Sequence, residues 1–137
     1  MPRRAELPNL HPARLDLAHY RGDSLSAIIR LRSQGVPIDV TKWDMLSYIR
    51  TSADGPLIAQ FSVLKEGDGI DGAQGIIRLW LPYQSARLLP DSCVWDLEVT
   101  QTDAAENPFR VTTILRGYIY TTGDVTYPEL IDEEIPI

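Results

Sequence analysis

The chain of 137 residues is poor in the groups that stabilise or activate small proteins by special chemistry: it has one cysteine, Cys93, and two histidines, His11 and His19. A lone cysteine excludes an intrachain disulfide, so core packing alone must hold the fold, as expected of a protein made in a reducing cytoplasm. One cysteine without a histidine pair at ligand spacing argues against a structural zinc site. Long apolar runs are also missing. No window approaches the roughly 18 apolar residues of a membrane span, and MPRRAELPNLHPARL at the N-terminus has no apolar stretch of signal-peptide length. The expectation is a chain that neither crosses a membrane nor exports itself. Positive charge is scarce too: 13 Lys and Arg against 19 Asp and Glu give a net charge of −6. That argues against a sequence-independent nucleic-acid binder, which needs clustered cations to displace counterions, though it does not forbid a small local basic patch.

Period-two alternation is what the sequence does have, in short runs separated by turn residues. In SLSAIIRLR, Leu25, Ala27, Ile29 and Leu31 share one face. In TKWDMLSYIR, Trp43, Met45, Ser47 and Ile49 alternate with Lys42, Asp44, Leu46, Tyr48 and Arg50. LIAQFSVLK places Leu57, Ala59, Phe61 and Val63 together, and GIIRLWL does the same with Ile77, Leu79 and Leu81. SCVWDLEVTQ puts Cys93, Trp95, Leu97 and Val99 inward. FRVTTILRGYIYTT reads as a long last strand with a bend at Gly117, and PYQSARLLPD is the one segment suited to a helical turn. About seven or eight short strands with almost no helix predict an all-β fold, an antiparallel two-sheet β-sandwich of the immunoglobulin-like kind. A closed barrel is the alternative. Residues 1–13, with Pro2, Pro8 and Pro12, read as an extended arm, 14–126 as the sandwich domain, and 127–137 as an acidic C-terminal arm.

No catalytic set assembles from these residues. His11 sits in the proline-rich arm, and His19, in LDLAHY, lacks obvious partners. Cys93 alternates with core residues, which suits a small buried side chain better than a reactive thiol. Glu66, Asp68 and Asp71 in KEGDGIDG invite a calcium reading, but the spacing is not that of an EF-hand loop. Asp96 and Glu98 lie side by side on one strand, where a polar outer face is the simpler reading than a pair of catalytic acids. The chain is therefore read as a non-enzyme with no cofactor and no metal. Arg21-Gly22-Asp23 spells the tripeptide that integrins read, but Gly and Asp before a strand are also what a turn requires. The aromatics Trp80, Tyr118 and Tyr120 fall on positions facing away from the expected core. They form either an interface or a surface covered by other segments of the chain.

Five segments in order carry a resemblance. They are GDS at 22–24, PIDVTKW at 37–43 with SYIR at 47–50, DGIDGAQGIIRLWLP at 68–82 with LLP at 88–90, WDLEVT at 95–100, and ILRGYIYTTGDVT at 114–126. This order resembles the small β-sandwich domain of tailed bacteriophages. There a Gly-Asp-Thr/Ser opens a strand, a Pro-x-Asp-Leu-Thr-Gly-Tyr segment leads into the third strand, and a Tyr-Asp-Leu-Glu-x-Thr strand precedes a last Leu-x-Gly strand. Lys42 and Trp43 stand where that family often has Gly and Tyr. Such domains occur in baseplate and tail-tip proteins, including the collar proteins to which L-shaped side tail fibres attach.

The resemblance implies a structural virion protein of the phage tail, a collar or baseplate component forming a ring and helping to anchor tail fibres. It would be made in the bacterial cytoplasm, with copies of itself and other tail proteins as partners and neither nucleic acid nor membrane among them. Arg3 and Arg4 would then meet Glu133 and Glu134 of the next copy, unless both are solvated charge runs. A carbohydrate- or receptor-binding module at the virion surface is the alternative, with Trp80 or Tyr83 against sugar rings.

Overall fold

Residues 12–102, 105, 108–123 and 132–136 are described by the computed structural model, with only the backbone path at 108, 109 and 132–136. The strands are β1 (Ala13–Arg14), β2 (Leu17–Tyr20), β3 (Leu25–Ser33), β4 (Val36–Pro37), β5 (Asp44–Arg50) and β6 (Leu57–Leu64). They continue with the small hairpin β7 (Glu66–Gly67) and β8 (Ile70–Asp71), then β9 (Ile76–Leu81), β10 (Ser92–Thr102), β11 (Pro108–Thr122) and β12 (Asp132–Pro136). A 3-10 turn at Gly72–Gln74 and one helical turn, α1 (Tyr83–Ala86), complete the described elements. The chain is all-β, as its alternation predicts.

The hydrogen-bonded path runs β1–β11–β10–β5–β6–β9–β3–β12, with β2 also on β11 and β4 on β3. Strand β6 is the corner. Its first part, through Phe61, pairs with β5, while Ser62–Leu64 pair with β9. The path curls there around one core. The central pairings are antiparallel, as expected, but β1 and β2 run parallel to β11, and β12 runs parallel to β3. The sheet is therefore mixed. These outer strands arrive from the two ends of the chain rather than through hairpins, so no tight turn forces them antiparallel. Period-two alternation carries no information about strand direction, which is why the sequence did not reveal it.

The core follows the alternation closely. Leu25, Ala27, Ile29 and Leu31 of β3 are buried against Ile77, Leu79 and Leu81 of β9 and Cys93, Trp95, Leu97 and Val99 of β10. Trp95 meets Phe61 edge-on, with ring centroids 6.0 Å apart at 85°, a favoured geometry for two aromatic quadrupoles. On β5, Ser47 and Ile49 are buried, as is Trp43 just before the strand, while Leu46 is exposed, so only one face is covered. Ser47 tolerates burial because its hydroxyl donates to the Asp96 carbonyl at 2.6 Å. Leu57 departs from the expected inward row and is 51% exposed; the register between β5 and β6 slips at Ile49/Arg50, next to it.

Two irregularities shape β11. Leu97 faces Leu115 while Glu98 faces Thr113, so Ile114 is an extra residue, a bulge that lets Ile114 and Leu115 both be buried. The second is Gly117. A Cβ there would lie 1.8 Å from the Leu15 carbonyl oxygen, so glycine is required by the close approach of another stretch of backbone.

Candidate docking surfaces

β1 and β2 are one parallel strand with an interruption. Ala13 pairs with Leu115 and Leu17 with Ile119, the same offset on both sides of the gap. In the gap, Leu15 N still donates to Arg116 O at 2.9 Å, but the Leu15 carbonyl turns inward and accepts from Trp95 Nε1 at 2.9 Å. The Asp16 carboxylate fills the vacated place in the ladder, accepting from Tyr118 N at 2.9 Å. Arg14 reaches forward to the same carboxylate with both Nε (3.2 Å) and a terminal nitrogen (3.1 Å). Burial alone would push the Asp16 carboxyl up, but the Arg14 and Tyr118 hydrogen bonds and the Arg14 charge together hold it below the usual range.

This arrangement organises an outward surface. The Arg14 guanidinium lies over the Tyr118 ring, 5.3 Å from its centroid, and Tyr118 stacks on Tyr120 at 5.7 Å with rings 16° from parallel. Tyr118 and Tyr120 remain 40% and 45% exposed. Two strands away, Arg50 lies over the Tyr48 ring at 5.7 Å. Between them on β10, Val94 pairs with Tyr118 and Arg50, and Asp96 with Arg116. Asp96 is half-buried. Burial raises its carboxyl, opposed by the Tyr48 N–H and the Arg50 charge. The only lysines of the chain are Lys42 and Lys65, outside β10, β11 and β5. A tyrosine- and arginine-rich face without lysine has the composition of a protein interface. Tyr118 and Tyr120 were legible as outward-facing, and the sequence spacing R-x-Y-x-Y at 116–120 carried that signal. Arg14, Asp16, Tyr48 and Arg50 were missed, because their place on this face depends on long-range pairing.

Trp80 sits elsewhere, on β9, with Ser26 and Ser62 as its cross-strand neighbours. It is 36% exposed. β10, β5 and β6 separate its strand from β11 along the path, so the structure does not join it to the tyrosine pair through adjacent strands. Tyr83, in α1, is exposed. Arg3 and Arg4 lie outside the described residues. Glu133 and Glu134 belong to β12, whose backbone sets Glu133 opposite Ile29 and Glu134 opposite Arg30. Within the expected acidic arm, residues 132–136 thus add a strand to the β3 edge.

The Arg-Gly-Asp segment is a turn. Asp23 N donates to Tyr20 O at 3.0 Å, and Gly22 takes φ +98°, the positive value that the third position of a type II turn demands. The Arg21 side chain is held by the Leu89 carbonyl at 3.0 Å and by the Asp91 carboxylate. His19 is buried, its Nε2 against the Asp23 carbonyl at 2.8 Å and its Nδ1 against the Thr121 hydroxyl at 3.1 Å. A carbonyl only accepts, so Nε2 carries a proton there. The histidine fastens the turn to the end of β11. Cys93 is buried and its thiol is pushed up to about 11 by burial, far from the range of a reactive thiolate. In KEGDGIDG, Asp71 caps the 3-10 turn by accepting from Ala73 N at 3.1 Å.

Compared with protein-family models and with curated protein sequences, the chain matches none.

Proposed function

We propose that this chain is a structural virion protein of a tailed bacteriophage, a tail-tip collar or baseplate component that forms a ring and helps anchor tail fibres. Its residence is the virion tail, its partners are copies of itself and neighbouring tail-tube or tail-fibre proteins, and it performs no catalysis. The resemblance over about residues 20–126 supports the phage assignment. The strand order supports the finer fold reading, an immunoglobulin-like sandwich in which β11, β10 and β5 face β9 and β3 across the core, with β6 passing between the two sheets. The parallel outer strands extend that sandwich.

The observation that carries the assembly reading is the Arg14–Tyr118–Tyr120 stack beside the Tyr48–Arg50 stack. Rigid aromatic and guanidinium groups lose little entropy on docking and dominate hot spots. Light scattering on the purified full chain tests it. A single closed oligomer is expected; a monomer at every concentration would overturn the ring. A second reading, a carbohydrate- or receptor-binding module, draws on the same exposed Tyr118–Tyr120 pair, because open aromatic faces also stack on sugar rings. It predicts a monomer that binds host surface polysaccharide through those two tyrosines.

A further inference from the structure

The outward face of β11, β10 and β5 has two unlike ends. At one end the cross-strand register sets Tyr118, Val94 and Arg50 in one row, with Arg116 and Asp96 in the next. Tyr48 lies beside Asp96, whose carboxylate accepts from its N–H at 3.4 Å. Three arginines, Arg14, Arg50 and Arg116, outnumber the two acids there, Asp16 and Asp96, and both acids are hydrogen-bonded within the chain. This end is basic and aromatic. The other end reverses that chemistry. Thr113, Glu98 and Leu46 form one row, and Val111, Thr100 and Asp44 form the last. Its charges are Glu98 and Asp44, and its exposed apolar groups, Leu46 and Val111, are aliphatic. Arg110, close by in sequence, pairs with the buried Gln101 and so belongs to a row turned the other way.

We infer that this face docks on the same face of a second copy, the two related by a two-fold axis that lies between the sheets, crosses the strands at right angles and passes at the level of Leu97. The inference rests on the reading of this face as a docking surface and names its occupant. The rotation lays each strand on its own counterpart, running the opposite way, which is the aligned packing of two sheets about 10 Å apart. By the register, Arg50 then stands over Asp44 of the second copy and Tyr118 over its Val111. Tyr48 stands over Leu46 of the second copy, and Arg116 over its Thr113 beside Glu98. Cation meets anion and aromatic meets aliphatic, and a two-fold makes every such contact twice. A two-fold along the strands would instead bring arginine end onto arginine end, which like charge disfavours. The contact closes with two copies, so a ring would join such pairs through another surface.

Charge reversal tests this on the full chain, at low salt, by sedimentation equilibrium. Asp44 and Arg50 stand at opposite ends of β5, about 20 Å apart at ~3.3 Å per residue, so they meet only between copies. Arg50→Glu alone sets acid against acid at both ends of the contact, and Asp44→Arg alone sets arginine against arginine. Each should weaken self-association at least tenfold. An equimolar mixture of the two restores both opposite-charge contacts, as does the double variant, and both should recover to within a few-fold of the unmodified chain. A second pair, Arg116→Glu and Glu98→Arg, read by mixing alone, serves if Arg50→Glu fails to fold beside Asp96. Single variants that associate like the unmodified chain overturn the two-fold contact. A chain that is monomeric at every concentration overturns it together with the ring. If the single variants weaken association and mixing restores nothing, the face docks but not on itself, so the inference fails and the docking reading stands.

Discussion

The indole N–H of Trp95 donates to the carbonyl of Leu15 over Gly117 of the strand between them, at 2.9 Å, and this one bond explains why the β1–β2 strand is interrupted at Leu15. Had Leu15 stayed in the β11 ladder, the indole would have been a buried donor without a partner. Instead the Leu15 carbonyl turns inward and the Asp16 carboxylate takes its place on β11. Replacing Trp95 by Phe keeps most of the apolar bulk but strips the donor. It should cost about 1–3 kcal/mol, the penalty of an orphaned buried carbonyl, and Trp95→Ala about 3–5 kcal/mol. Urea unfolding measures both, and a loss below about 1 kcal/mol for the alanine would place Trp95 outside the core.

Gly117→Ala tests the other side of the same crossing. The new methyl group would meet the Leu15 backbone, which cannot swing aside like a side chain. A loss of about 1–3 kcal/mol is expected from overpacking. Amide hydrogen exchange should also accelerate at Leu15 and Tyr118, whose N–H groups bridge the two segments.

The exposed Asp16 and the half-buried Asp96 on this surface should titrate with opposite sign. Asp16 is held below its unfolded value, so its contribution is present above the unfolded carboxylate range and is lost as pH falls through its lower folded pKa. Asp96 is raised, so its ionised form opposes folding at neutral pH, and that opposition vanishes once the pH is below the unfolded value. Asp96→Asn should therefore stabilise the protein at pH 7 and lose that advantage in acid, whereas Asp16→Asn should destabilise it at pH 7. Denaturation midpoints across pH give both signs.

Tyr118→Ser combined with Tyr120→Ser removes the exposed stack without touching a buried side chain. The fold should survive with its unfolding midpoint little changed. Self-association should weaken by about tenfold or more, as for a hot spot worth at least ~1.4 kcal/mol. Sedimentation at matched concentrations reads the change.

Much of this was legible in the sequence because burial in a sheet writes itself in alternate residues. Cys93, Trp95, Leu97 and Val99 fell inward as read, and the helical turn appeared inside PYQSARLLPD, at Tyr83–Ala86. The Gly22 turn was legible from local chemistry alone. What could not be read depends on partners far along the chain. Gly117 looked like a bend, but its reason is the Leu15 carbonyl, one hundred residues away in order of magnitude. The Arg14 contribution to the tyrosine face needs the same crossing. Leu57 reads as an inward residue by period two, and only the register slip beside it turns it out. The exposed tyrosines, by contrast, were visible as soon as RGYIY was placed on a strand.

The most direct test of the account is hydroxyl-radical footprinting of Tyr118 and Tyr120 in the assembled state and in dilute solution. If the tyrosine–arginine face is where copies or tail proteins dock, both rings should be strongly protected on assembly while Trp80 serves as an independent reference on another strand. Equal modification of Tyr118 and Tyr120 in the two states would contradict the proposed interface.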